Sequence, residues 1–247
     1  HYCAPSPLRK TLAMPNPTPA DTWESHVERV LHGLTPHGNG LWRIEVAFNR
    51  GKGPNRNMFV YRLHDGTLML WALACVEEKV MQEIDALGRV SLLIAPNEGH
   101  RWDSPVFKKR YPEARLLCPQ GAIERVKEFS GVVDGSMEEV LPQFHMTCHP
   151  MAGLKMADLV VQAPLADGGN ALFFAESLMA QSPNQPCIMK CFSCGTLKRD
   201  FPRVFFLFRR LYISDKASFK ASLTKLQEVP EITALCLLHG DPFFGAA

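Results

Sequence analysis

The sequence has almost no net charge, because its 27 Lys and Arg residues nearly balance its 25 Asp and Glu residues, leaving +2 at pH 7. So small an excess gives no electrostatic basis for binding nucleic acid. The chain also lacks a long apolar run. Its most apolar window, residues 201–213, is interrupted by Arg203, Arg209 and Arg210 and is too short to span a bilayer. We therefore predict a soluble chain with no transmembrane segment and no nucleic-acid partner.

The chain is also poor in cysteine for a disulfide scaffold, with eight in 247 residues. Cys75, Cys118 and Cys236 lie within apolar runs, where a reduced thiol behaves as a small apolar side chain. We predict a reducing compartment, either the cytoplasm or the interior of an organelle such as a plastid or mitochondrion.

The first 22 residues are rich in proline, which blocks helix formation and favours an extended arm. No acidic residue precedes Asp21, as in the tail of an organelle import signal, but a processed or truncated terminus explains the same composition. The rest of the chain has no internal repeat and no linker. We predict an arm over residues 1–22, suited to lying along a protein partner, and a single domain over residues 23–247.

Hydrophobic periodicity and turn signals divide this domain into elements. They predict helices over residues 22–34, 77–87, 120–129 and 215–227. They predict strands over residues 41–49, 57–63, 67–74, 90–95, 114–118, 158–163, 170–175 and 233–238.

The loop after the strand at residues 90–95 is the most polar stretch that follows a buried strand. It carries the side chains of Asn97, Glu98, His100, Arg101, Trp102 and Asp103. Open α/β sheets place their chemistry at the carboxyl ends of such strands. We therefore expect a functional site to begin in this loop.

Five phrases resemble a known group of proteins when they are taken in order: MFVYRLHDGTLMLWA, IDALGRVSLLIAPNEGH, FKKRYPEARLLCP, NALFFAESLM and ALCLLHGDPF. Over residues 41–244 the chain resembles the DUF4336 group, degenerate relatives of the metallo-β-lactamase fold superfamily. The resemblance implies an α/β (α+β) fold of four layers, an αββα sandwich of two mixed sheets with helices outside.

A two-zinc hydrolase of this superfamily holds its ions with an HxHxDH loop, a further His, a bridging Asp and a final His. The resemblance places His239 at the final His and Glu176 at the bridging Asp. The HxHxDH loop is not matched. With His100 on its second His, Glu98 and Asp103 occupy the first and last ligand positions, and no register restores the three histidines.

The resemblance therefore implies at most one metal ion, with zinc as the candidate. Its expected ligands are Glu98, His100, Glu176 and His239, with Asp103 as the alternative to Glu98. The candidate catalytic residues are His100, Asp103, Glu176 and His239.

Each of these residues also has a structural interpretation. His100 could anchor its loop through hydrogen bonds to the backbone, and His239 could end a buried strand and tie down the adjacent loop. Glu176 could cap a following helix, and Asp103 before Ser104-Pro105 suits the N-cap of a short helix.

A separate cluster, Cys187, Cys191 and Cys194, has CxxxCxxC spacing. This spacing resembles the iron–sulfur loop of radical S-adenosylmethionine enzymes, but Ser193 replaces the aromatic residue of that motif. A structural zinc with Cys148 or His149 as fourth ligand is the better metal hypothesis. Three reduced thiols in a loop remain the default interpretation.

The aromatic and basic segment LKRDFPRVFFLFRRLY, residues 197–212, predicts a helix beyond Pro202. Val204, Leu207, Phe208 and Leu211 would share one face of it. This helix could lie on a membrane surface, but packing on the sandwich or on a partner is favoured.

Two functions remain open. The first is a non-catalytic binding or structural subunit of a larger assembly, which contacts a partner through the N-terminal arm or an exposed face. The second is a single-metal or metal-independent hydrolase of an ester, thioester or phosphoester. The missing ligand set favours the first, because loss of ligands from a two-metal site removes the stabilisation that drives hydrolysis.

Overall fold

A computed structural model describes residues 22–47, 54–184 and 201–245. Its first sheet has seven strands in chain order: β1 (Arg29–Pro36), β2 (Leu41–Ala47), β3 (Arg56–Arg62), β4 (Leu68–Trp71), β5 (Val90–Ile94), β6 (Arg115–Cys118) and β7 (Gly135–Ser136). Strands β1 to β4 are antiparallel and β4 to β7 are parallel, so the sheet is mixed.

The second sheet has five strands in the order β12-β11-β10-β9-β8. They are β8 (Thr147–Pro150), β9 (Leu159–Pro164), β10 (Asn170–Phe174), β11 (Ile232–Leu237) and β12 (Phe243–Phe244). Strands β10 and β11 are parallel and the other pairs are antiparallel, so this sheet is mixed too.

The helices are short, and all but α5, whose Met137 and Val140 join the core between the sheets, lie outside the two sheets. They are α1 (Trp23–His26), α2 (Glu78–Leu87), α3 (Ser104–Arg110), α4 (Ile123–Ser130), α5 (Met137–Val140), α6 (Phe206–Leu211) and α7 (Lys216–Leu226). Among the described residues, no helix is long and apolar enough to cross a membrane.

Alternating side chains along each strand build the four layers. On β10, Ala171 and Phe173 enter the core between the sheets, whereas Leu172 and Phe174 point outward and pack with Phe208 of α6 and Phe219 and Leu226 of α7. The outward residues of the first sheet pack in the same way against α2, α3 and α4. This is the αββα sandwich that the resemblance implied.

Most of the predicted elements are confirmed to within a few residues, but the helix over residues 22–34 is wrong. Only Trp23–His26 is helical, and Arg29–Pro36 forms β1, which pairs with β2 along the edge of the first sheet. The sheet edge offers backbone partners to a segment whose Gly33 and Thr35 have weak helix propensity, and this tertiary pairing outweighs the local preference.

The predicted arm, residues 1–22, lies outside the described residues except for Thr22. The arm and the single-domain boundary at residues 23–247 therefore stay predictions.

Candidate metal centre

The candidate site lies where the carboxyl ends of strands from both sheets meet. In the second sheet, Phe174 of β10 lies opposite Leu237 of the parallel strand β11. Glu176 and His239 each follow their strand by two residues, so they lie side by side. In the first sheet, β5 ends at Ile94, and a 3₁₀ turn at Glu98–His100 presents His100 to the same place.

The imidazoles of His100 and His239 both face one carboxylate oxygen of Glu176. Oε1 of Glu176 lies 2.5 Å from Nε2 of His100 and 3.3 Å from Nε2 of His239. The two imidazole rings have centroids 5.3 Å apart. Among the described residues, His100, Glu176 and His239 form one of two clusters whose ligand atoms all lie within 4.8 Å of one another. The predicted meeting of these three residues is therefore what the structure shows.

Hydrogen bonding determines which nitrogen of His239 faces the carboxylate. Its Nδ1 lies 2.8 Å from the carbonyl oxygen of Asn55, which can only accept, so Nδ1 carries a proton. In a neutral ring, Nε2 would then carry no proton. Its lone pair would face the carboxylate oxygen of Glu176, and the nitrogen and the oxygen would repel each other. A proton, on the ring or on the carboxyl group, or a metal ion must therefore lie between them.

Burial and charge support a neutral His100 beside an ionised Glu176. Burial lowers the pKa of His100, although Glu176 acts in the opposite direction. Burial raises the pKa of Glu176, but His239 and the hydrogen bond from His100 outweigh it and hold this pKa well below its usual range. Glu176 keeps 17% of its side chain exposed, so solvent reaches the cluster.

The donor set fits a zinc ion. Two imidazole nitrogens and one carboxylate oxygen are a known catalytic zinc set, and ligands about 2.0–2.1 Å from a tetrahedral ion lie about 3.3 Å apart. The 3.3 Å between Nε2 of His239 and Oε1 of Glu176 already matches this distance between ligand atoms. The shorter His100–Glu176 contact would open by less than about 1 Å when an ion replaces the shared proton. Nδ1 of His239 also has the fixed acceptor that metal-bound histidines normally have.

The turn that carries His239 is held by the first sheet and by the segment after Glu176. Nδ2 of Asn57 donates to the carbonyl oxygens of Leu237 and Gly240, at 2.8 and 2.6 Å. The backbone N–H of Ala180 donates to the carbonyl oxygen of His239. Gly240 has a φ of 92°, and a Cβ atom there would lie 2.0 Å from the carbonyl oxygen of Ala180. Only glycine fits this position without displacing the turn.

We expect Gly240→Ala to destabilise the fold by at least about 3 kcal/mol, because strain at positive φ is added to the backbone clash. Thermal unfolding should show a fall in Tm of roughly 6–12 °C. Gly168→Ala is the matched control, because Gly168 has a φ of 91° but open space around its Cβ position. It should cost only about 1 kcal/mol. Equal losses in the two variants would contradict the tight approach at Gly240.

Asp103 does not join the cluster. Its carboxylate accepts hydrogen bonds from the guanidinium of Arg56, from Nδ1 of His26 at 2.9 Å and from the backbone N–H of Cys75 at 3.3 Å. Burial raises its pKa, but Arg56 and His26 outweigh burial and lower it. Asp103 precedes α3 as predicted, but its side chain makes no capping hydrogen bond, so that part of the prediction is wrong.

His26, Cys75 and Asp103 form the second cluster of metal-ligand atoms. Two features disfavour an ion there. Burial and the neighbouring Asp103 raise the pKa of the Cys75 thiol far above its usual value, so that it is a poor ligand. The guanidinium of Arg56 already supplies a positive charge to Asp103 and would repel a second cation.

Three other sequence-based interpretations are corrected. Glu98 is not part of the His100 cluster, and the described residues give its buried Oε2 atom no hydrogen-bond partner. Glu176 caps no helix, because residues 177–184 contain none. The ring of His100 bonds Glu176 rather than backbone. The interpretation of His239 as a residue that ties down its loop is confirmed by its bond to Asn55.

Cys187, Cys191 and Cys194 lie outside the described residues, so their zinc hypothesis stays a prediction. Of the suggested fourth ligands, Cys148 donates weakly to the carbonyl oxygen of Met137, and burial raises its pKa to about 12. His149 contacts Gln162 at 3.1 Å.

Sequence reasoning missed the residues that support the site, which are His26, Asn55, Arg56, Asn57 and Asp158. One signal was available: Asn55-Arg56-Asn57 is a polar triplet directly before the apolar run of β3, and all three residues are at least 98% buried. A buried polar triplet has to be hydrogen-bonded, so it marks a network at the start of that strand.

The chain matches no family model, and no curated protein is similar to it at a significant level. Solved structures do match its fold. The mono-zinc form of the metallo-β-lactamase FIM-1 from Pseudomonas aeruginosa is 12% identical, with a TM-score of 0.55, over 89% of this chain and 91% of that one. The metallo-β-lactamase DIM-1 is 11% identical, with a TM-score of 0.59, over 87% and 93%.

A third match is the metal-soaked core of the flavodiiron protein Flv1 from Synechocystis. It is 13% identical, with a TM-score of 0.57, over 87% of this chain and 57% of that one. At these identities the similarity establishes the fold alone. The described residues have the metallo-β-lactamase fold.

Proposed function

We propose that this protein binds one divalent metal ion, with zinc as the first candidate, through His100, Glu176 and His239. We further propose that it serves as a binding subunit rather than as a two-metal hydrolase. One observation carries the first proposal: a single oxygen of Glu176 faces Nε2 of two imidazoles, and Nδ1 of His239 is already committed to Asn55. This arrangement requires a proton or a metal ion between these groups, and one metal ion would contact all three ligand atoms at once.

The ion pair at Asp103 supports the second proposal. The resemblance sets Asp103 at the last ligand position of the HxHxDH loop, but its carboxylate is paired with Arg56 and His26. The positive charge beside Asp103 is therefore supplied by the guanidinium of Arg56, which belongs to the chain, and not by a metal ion, which could dissociate. Without a second ion the two-metal clamp on attacking and leaving oxygens is lost.

A bound ion would supply Lewis-acid stabilisation and a link between the two sheets. The protein groups have distinct roles around it. His100 belongs to the loop after β5 of the first sheet, and Glu176 and His239 follow β10 and β11 of the second. A bound ion would therefore link the two sheets at the open edge of the sandwich. The surface around it would then be rigid, and we propose that a protein partner binds there.

Metal content measured by mass spectrometry tests the proposal. We expect one equivalent of zinc per chain after loading and dialysis, and none in His239→Ala. A variant with Cys187, Cys191 and Cys194 replaced by serine separates the two candidate sites, and it should keep its zinc. Zinc that disappears with the three cysteines and remains in His239→Ala would contradict the proposed centre.

A single-metal hydrolase of an ester, thioester or phosphoester is the second candidate, and two observations favour it. Three protein ligands leave a coordination position open, as in catalytic rather than structural zinc sites. Burial, together with the charge of Glu176, raises the pKa of Asp158 to about 8, so a carboxyl group beside the cluster can hold a proton at neutral pH. Such a group could act as a general acid.

Hydrolysis assays on chromogenic acetate, thioacetate and phosphate esters separate the two candidates. The binding-subunit proposal expects rates that are the same for the zinc-loaded protein and for His239→Ala. Turnover that requires zinc, and that Asp158→Asn reduces without releasing the metal, would establish the hydrolase instead.

Membership of the DUF4336 group remains a proposal that rests on the five sequence phrases. Contact with a partner through the N-terminal arm or an exposed face is likewise part of this proposed function.

A further inference from the structure

A groove lies on the outer face of the second sheet, separate from the ligand atoms of the metal centre. It has a volume of about 650 Å³, which is within the size range of small-molecule sites. Its walls come from α6, α7 and the segment leading into α6. The apolar residues that line it are Leu178, Pro202, Val204, Phe206, Ile213, Phe219 and Leu223.

The charged residues of this groove all have the same sign. Arg203, Arg209, Lys216 and Lys220 line it, and no acidic residue does. All four are exposed, and within the described part of the chain none of them forms an ion pair. The nearby carboxylate of Asp215 is engaged at the start of α7, where it accepts hydrogen bonds from Ala217 and Ser218.

Exposed apolar side chains are concentrated beside the groove. The described residues contain six exposed large apolar side chains, and four belong to residues 201–212: Phe201, Phe206, Leu211 and Tyr212. Concentration of such side chains in one place is typical of a binding surface. The rest of the surface shows no comparable group among the described residues.

We propose that this groove binds a free long-chain fatty acid, with the alkyl chain on the apolar floor and the carboxylate among the four cations. An uncharged hydrocarbon would leave the cations without a counter-ion. A small polar anion would leave the apolar floor in contact with water. An anionic amphiphile matches both parts of the lining.

Displacement of a fluorescent fatty acid, cis-parinarate, by palmitate below its micelle concentration tests the proposal. We expect saturable displacement by palmitate and at least tenfold weaker displacement by hexadecanol, which has the same chain without the charge. Arg209→Glu should weaken palmitate binding at least tenfold.

Arg210→Glu is the matched control, because Arg210 lies on the same helix but outside the groove lining. It makes the same change in net charge and should alter palmitate binding by less than twofold. Val204→Trp fills the groove without changing charge and should abolish binding, and an unchanged Tm in each variant shows that the fold is intact.

Three results would overturn the proposal. They are equal effects of the two arginine substitutions, equal displacement by palmitate and hexadecanol, and binding to anionic phospholipid vesicles without binding to monomeric palmitate. The last result would assign the surface to membranes instead.

Discussion

Replacing Glu176 with glutamine is expected to lower the affinity for zinc at least about 100-fold, which exceeds the usual effect of changing a group behind the ligands. The substitution keeps the size of the side chain and removes its charge. Its oxygen would still face Nε2 of His100 and of His239, but a neutral amide compensates a divalent ion poorly. Isothermal titration of the metal-free protein with zinc measures this change directly.

Glu98→Gln is the matched control for this experiment. It makes the same chemical change in the loop that carries His100, at a residue that sequence reasoning proposed as a ligand and that the structure leaves outside the cluster. We expect its zinc affinity to stay within about threefold of the unsubstituted protein. A loss as large as that of Glu176→Gln would show that Glu98 is a ligand after all.

Replacing Asp103 with asparagine is expected to destabilise the fold by about 3–5 kcal/mol while leaving zinc affinity unchanged. Arg56 is only 2% exposed, and the substitution removes the carboxylate that faces its guanidinium inside the protein. The contact from His26 is weakened as well, so α1 loses part of its attachment to the loop after β5. Thermal unfolding should show a fall in Tm of roughly 10 °C for a chain of this size.

The double variant Arg56→Met, Asp103→Leu tests whether the loss comes from the ion pair. It removes both charges and replaces them with apolar groups, so we expect it to be more stable than Asp103→Asn. The double variant should be less stable than the single one if the guanidinium is held mainly by other contacts. Loss of zinc binding in Asp103→Asn would return Asp103 to the metal site and contradict the division into two clusters.

The sequence was informative wherever a property is local. Alternation and turn signals predicted β10 and β11, and their parallel pairing then explains why Glu176 and His239 meet two residues beyond the strand ends. The His100 loop was also predicted, because a polar segment after a buried strand is visible without any knowledge of its neighbours.

The sequence was not informative wherever a property depends on contacts between distant segments. The acceptor that orients His239 is the carbonyl oxygen of Asn55, 184 residues earlier in the chain. Asp103 meets Arg56 and His26 across 47 and 77 residues. A carboxylate at the end of a loop can act as a metal ligand, as an N-cap or as one partner of an ion pair. Only the contacts made in the fold determine which of these roles it has.

The edge strands of both sheets show the same limit. Local propensity favoured a helix for residues 22–34, but β1 is stabilised by pairing with β2, which no local signal within that segment reveals. Similarly, β12 pairs with β11 only because the chain turns back after His239 and Gly240.

Anomalous diffraction at the zinc absorption edge, from crystals of the zinc-loaded protein, tests whether one ion lies between His100, Glu176 and His239. We expect one anomalous peak among the three side chains, about 2.0–2.2 Å from Nε2 of His100, from Nε2 of His239 and from the carboxylate of Glu176. We expect no peak beside Asp103, where Arg56 already supplies the positive charge. A second peak at Asp103, or an imidazolium–carboxylate pair with no metal between His239 and Glu176, would contradict this expectation.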